Sequence, residues 1–98
     1  MKQFKGTKGK WKSSDSGYVY VEQQGKVDKY IVDPDTTISK KELKHNANLI
    51  AAAPELLRVV QSMQLSMMAH PDYQSGRNQE LVDYVDIAEE VINKALGL

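Results

Sequence analysis

Hydrophobic positions change their period partway along the chain. Tyr18 to Val21 and the run from Val27 to Val32 are rich in β-branched and aromatic residues, whereas from Leu43 onward apolar residues recur every three or four positions. The first pattern predicts strands and the second helices. Gln23-Gln24-Gly25-Lys26 supplies a turn glycine between the two strand-like runs, which predicts a β-hairpin. An isolated two-stranded hairpin is marginal in water, and Lys10 to Ser13, around Trp11, is a candidate third strand.

Register decides which side chains share a face. A two-residue turn at Gln24-Gly25 places Val19 opposite Tyr30 and mixes aliphatic and aromatic residues on both faces. A three-residue turn of Gln24, Gly25 and Lys26 sorts them, with Val19, Val21, Val27 and Ile31 on one face and Tyr18, Tyr20 and Tyr30 on the other. The second register gives the cleaner core face and is the preferred of the two.

Asp33-Pro34-Asp35-Thr36 reads as a turn, with proline presetting φ at its second position. A helix start follows. Ser39 is placed as N-cap with Glu42 at N3 of a capping box, and Ile38 and Leu43 form the hydrophobic staple. Leu43, Ala47, Ile50, Leu57 and Val60 continue one apolar stripe, which Leu56, Met63 and Met67 widen. Pro54 lacks an N–H and its ring crowds the carbonyl of residue 50, so a kink is expected, or a break with Pro54 at N1 of a second helix. His70 to Gly76 reads as a loop. A last helix begins near Ser75 to Asn78, either of which could cap it, carries Leu81, Val85, Ala88, Ile92 and Ala95 with Val82, Ile87 and Val91 beside them, and stops at Gly97. The expected fold is α+β: an antiparallel hairpin or three-stranded sheet packed on two or three C-terminal helices, the helices forming a hairpin kinked at Pro54.

The 98 residues fit a single domain over 1–98, with residues 1–9 as a flexible arm, 10–33 as the β part and 39–97 as the helical part. An apolar fraction of 41% beside 27% charged residues sets aside disordered and collagen-like classes. The longest uncharged apolar run, Leu49 to Pro54, is far below the ~20 residues that span a bilayer, so no membrane partner is expected. Met1 to Lys12 carries five lysines and no apolar stretch of a secretory signal, and the expected location is the cytoplasm. No cysteine is present, which removes disulfides, thiolate zinc sites and cysteine nucleophiles. Net charge is zero but uneven: ten lysines against six acids in residues 1–50 make +4, and Arg58, Arg77 and Lys94 against seven acids in 51–98 make −4.

Candidate chemistry is sparse. Nothing local pairs His45 or His70 with a nucleophile or a second metal ligand, and Glu80, Asp83, Asp86, Glu89 and Glu90 read as the solvated polar sector of the last helix. Phosphate-loop, dinucleotide, nucleophile-elbow and zinc-helix motifs are absent, so a non-enzymatic protein without cofactor or metal is expected. Trp11, Tyr18, Tyr20 and Tyr30, interleaved with Lys10, Lys12 and Lys29, are the candidate partner-binding residues, since exposed aromatics with cations suit either a protein or single-stranded nucleic acid. Met63, Met67 and Met68 are candidates for a homo-oligomer interface through the helices, because a chain this short struggles to cover every apolar stripe.

The segment Asn46-Ala47-Asn48-Leu49-Ile50-Ala51-Ala52-Ala53-Pro54-Glu55-Leu56-Leu57 resembles a motif of small accessory proteins of tailed bacteriophages and prophages. The likeness is close over residues 46–57 and loose elsewhere; the family commonly has Gly-Pro-Trp where this chain has Gly9-Lys10-Trp11. The resemblance implies a phage-encoded protein working in the bacterial cytoplasm. By analogy with that class, it implies a binder of a host component that counters a defence or regulatory protein or sequesters a nucleotide. Single-stranded nucleic-acid or nucleotide binding by the Lys/aromatic face is the alternative expectation, and a structural or assembly role through the helices a third.

Overall fold

A computed structural model describes residues 2–98, which gather into two compact units: Gly6–Pro54, and residues 2–5 with Glu55–Leu98. The order of elements is β1 (Trp11–Ser13), β2 (Val19–Gln23), β3 (Lys26–Val32), α1 (Lys40–Met68), α2 (Pro71–Gln74) and α3 (Gln79–Leu96). A three-stranded antiparallel sheet followed by helices is the α+β layout expected from the change of hydrophobic period.

In the first unit the strands lie in the order β1-β2-β3, so the segment around Trp11 supplies the third strand. Trp11 faces Val21, Lys12 faces Tyr20 and Ser13 faces Val19. The turn between β2 and β3 corrects the preferred register. Gln23 pairs with Lys26, leaving the two-residue turn Gln24-Gly25, and both turn residues have positive φ, 55° and 78°. This is the primed geometry that matches strand twist. The regular two-residue register would still set Val19 against Tyr30, but Val19 faces Val32 and Tyr20 faces Tyr30. Two β-bulges make the difference: Ile31 is the extra residue opposite Val19 and Tyr20, and Asp28 the one opposite Val21 and Glu22. Val19 and Val21, two apart on β2, are buried together, while the two-residue turn sets Val27 opposite Glu22, off the valine face, where it stands 45% exposed.

The turn after β3 falls two residues later than expected. The Asp35 carboxylate accepts from the backbone and hydroxyl of Thr37, each at 2.8 Å, and Ile38 N–H closes on the Asp35 carbonyl. Ser39 then caps α1, its hydroxyl accepting from Glu42 N–H at 3.3 Å. Ala47, buried at a point where a small side chain allows close approach, joins Val19 and Val21 as the core of this unit. Ser13 on β1 donates to the Asn48 side chain at 2.7 Å and ties the sheet to the helix.

Helix α1 runs through Pro54 as one element, so the expected break into two helices does not occur. Its later turns belong to the second unit, where Gln64 donates to the carbonyl of Val85 and to the Glu89 carboxylate on α3. Val85 and Ile92 are the buried apolar residues of α3. The stretch expected as loop contains the single turn α2: His70 Nδ1 accepts from Asp72 N–H at 3.1 Å, and Pro71 occupies the first turn, where its missing N–H costs nothing. Of the two candidate caps for α3, Asn78 is used, accepting from Leu81 N–H at 3.1 Å, and Gly97 ends the helix.

Candidate functional site

Alternation along β2, with the bulge at Asp28 in β3, collects three tyrosines on the face of the sheet opposite Val19 and Val21. The Tyr18 and Tyr30 rings lie 5.3 Å apart and those of Tyr20 and Tyr30 6.4 Å apart, both pairs tilted. Such tilted contacts set the positive edge of one ring toward the face of another and hold the rings in place. Tyr30 is 59% exposed, and Val27 adds an aliphatic side chain to the same face.

The lysines fare differently from one another. Lys12, opposite Tyr20, is on the tyrosine face, but its ammonium donates to Glu22 at 2.8 Å. That hydrogen bond and the carboxylate's charge hold Lys12 above its ordinary pKa, and its ammonium is engaged by Glu22 on the same face. Lys29 pairs with Val21, a register position on the other face, and Lys10 precedes β1 as an exposed residue. Trp11 shares the register face of Val21, is half-buried, and donates its indole N–H to the Thr7 carbonyl at 3.1 Å. Of the seven expected partner-binding residues, the sheet thus assembles Tyr18, Tyr20, Tyr30 and Lys12 and sets Trp11 and Lys29 apart from them.

A second polar cluster, in the helical unit, had no local signal in the sequence. Glu89 accepts from Gln64 at 2.8 Å and pairs with the Lys2 ammonium, which also reaches Asn93, and Gln61 donates to the Lys2 carbonyl at 2.7 Å. The hydrogen bond from Lys2 and then that from Gln64 pull the Glu89 carboxyl below its usual range. Glu89 is therefore no part of a uniformly solvated acidic sector. Lys2, Gln61, Gln64, Leu65, Met68, Glu89 and Ile92 line an open cleft of about 390 Å³. The remaining acids of α3 are exposed; Glu80 accepts from the Tyr84 phenol at 2.7 Å, which raises the phenol's pKa.

Among the expected oligomer residues, Met63 is exposed, Met67 half-buried, and Met68 belongs to the Lys2 cleft. Among the described residues no group of three or more His, Asp or Glu side chains is arranged to hold a metal ion, and no helix is long and apolar enough to cross a membrane.

No curated protein and no solved structure matches the chain. The family model described as Salmonella phage P22 protein Y8K6 matches it over residues 1–98, and the chain accordingly belongs to that family of small phage proteins.

Proposed function

We propose that this is a non-enzymatic phage accessory protein that binds a host protein through the tyrosine face of its sheet, as an agent against a host defence or regulatory system. The observation that carries the reading is the group Tyr18, Tyr20 and Tyr30, ring against ring beside Val27, with Tyr18 and Tyr30 exposed and Tyr20 half-buried between strands. Tyrosine offers large, rigid contact area at a cost of two side-chain torsions, and it is enriched at the energetic centres of protein interfaces. The electrostatics favour a protein over a nucleic acid. Lys12 is already compensated by Glu22, and Lys29 is on the other register face, so the rings are not flanked by the free cationic track that a phosphate backbone requires.

The test is affinity recovery from infected host lysate with and without nuclease, comparing the wild type with a Tyr18→Ser/Tyr30→Ser double variant. A discrete host protein that survives nuclease and is lost with the double variant supports the reading. Recovery abolished by nuclease, with steep loss on added salt, transfers the face to single-stranded nucleic acid. Equal recovery by the two proteins overturns any role for the tyrosines.

A further inference from the structure

We infer that the α1–α3 hairpin offers one broad apolar face to a second copy of this chain, and that two copies close as a four-helix bundle with α1 of each over α3 of the other. Contacts within the helical unit define the hairpin's direction. Lys2 bridges Gln61 to Glu89 and Asn93, whereas Gln64, one turn further along α1, reaches back to Val85 and Glu89, so the two helices run antiparallel. On α1, Leu56, Val59 and Met63 fall within about 60° of one another at 100° per residue, and so do Tyr84, Ile87 and Val91 on α3. All six are between 49% and 57% exposed.

The stripes are displaced by about 140° on α1 and about 120° on α3 from their own buried lines, Gln61 and Gln64 on α1 and Val85 and Ile92 on α3, and in the same rotational sense. In antiparallel helices the same sense leads to the same side of the pair, so the two stripes form one surface. The opposite side is occupied: Lys2 lies there over Gln61, Glu89 and Asn93.

Area and charge select the occupant. Six side chains leaving roughly 100 Å² each to solvent amount to about 600 Å² per copy, or about 1,200 Å² for a self-complementary pair, the lower bound of stable interfaces. No charged residue interrupts the stripes between Leu56 and Met63 or between Tyr84 and Val91; Glu80 bounds the α3 stripe at its start and accepts from the Tyr84 phenol. The outer edge of the α1 stripe carries Glu55, Ser62 and Ser66, while that of α3 carries Asp83, Glu90 and Lys94. Laying α1 on the second copy's α3 sets Ser62 and Ser66 against Asp83 and Glu90, brings Glu55 to the end of α3 that carries Lys94, and gives a two-fold, closed assembly.

Sedimentation equilibrium of the full chain from about 1 to 100 µM tests this, with circular dichroism as the check on folding. A dimer is expected, and Ile87→Asp and Met63→Asp should each weaken it about thirtyfold or more at unchanged helicity. Leu65→Ser, on the cleft side of α1, should leave the dimer intact, as should Tyr30→Ser. A wild-type monomer throughout the range overturns the inference, and so does a dimer that Leu65→Ser dissociates and Ile87→Asp does not. Should either aspartate variant lose helicity, Ile87→Ser replaces it under the same criterion.

Discussion

Gly17 and Leu43 approach so closely that a Cβ placed on Gly17 would stand 2.8 Å from the Leu43 Cβ. Gly17 also has φ +96°, a backbone that side-chain-bearing residues avoid. Gly17→Ala should therefore cost about 2–4 kcal/mol, combining the unfavourable backbone with overpacking against an atom that cannot move without α1. Urea unfolding followed by Trp11 fluorescence measures it; a loss below about 0.5 kcal/mol would show that the β1–β2 connection relaxes away from the helix.

Asn78 supplies one bond at the start of α3, to Leu81 N–H. Asn78→Ala should destabilise by about 1 kcal/mol and Asn78→Asp should be close to neutral, since aspartate caps equally well. Thermal melts of both variants separate loss of the cap from loss of the side chain.

Pro54 stands inside a continuous helix and removes one intrahelical hydrogen bond. Pro54→Ala should raise stability by about 1–3 kcal/mol and increase the helical dichroism signal. An unchanged or lowered midpoint would show that the proline-specific geometry of α1 is needed by the residues packed beside it.

Glu89 gives a pH dependence of definite sign. Its carboxyl is held below the ordinary value of 4.5 by Lys2 first and Gln64 second. The folded state thus binds this proton less readily than the unfolded chain, so the contribution is fully present above 4.5 and is lost as pH falls through the lowered folded value. Glu89→Gln should flatten the stability profile between about pH 5 and 3 relative to the wild type. Parallel profiles for the two proteins would remove Glu89 from the acid transition.

Features set by neighbours in sequence were legible. The Ser39 cap, the Asn78 cap, the Gly97 stop and the third strand at Trp11 each follow from a few adjacent residues. The hairpin register was not, because Gln24 takes a positive φ without being Asn, Asp or Gly, and the extra residues Asp28 and Ile31 carry no bulge signature of their own. The grouping of the tyrosines survived that error because the extra residue Asp28 makes up for the one residue missing from the turn and returns Tyr30 to its place opposite Tyr20. Glu89 was misplaced among solvated acids because its cation is 87 positions away. Leu56 and Met63 read as widening a buried stripe, yet they are exposed; helical periodicity tells which side of a helix is apolar, and not whether the chain covers it.

The bulges of β3 have one more consequence. β3 is an edge strand, seven residues long, and an edge of that length with exposed Tyr30 and Val27 is the kind of template on which further strands add and fibres grow. Two inserted residues within those seven interrupt the regular ladder and increase local twist, and Lys26, Asp28 and Lys29 put charges along the strand. A flat, even ribbon is never presented to a passing chain. The sheet can leave Tyr30 and Val27 open to solvent because the strand that carries them is too irregular to be copied.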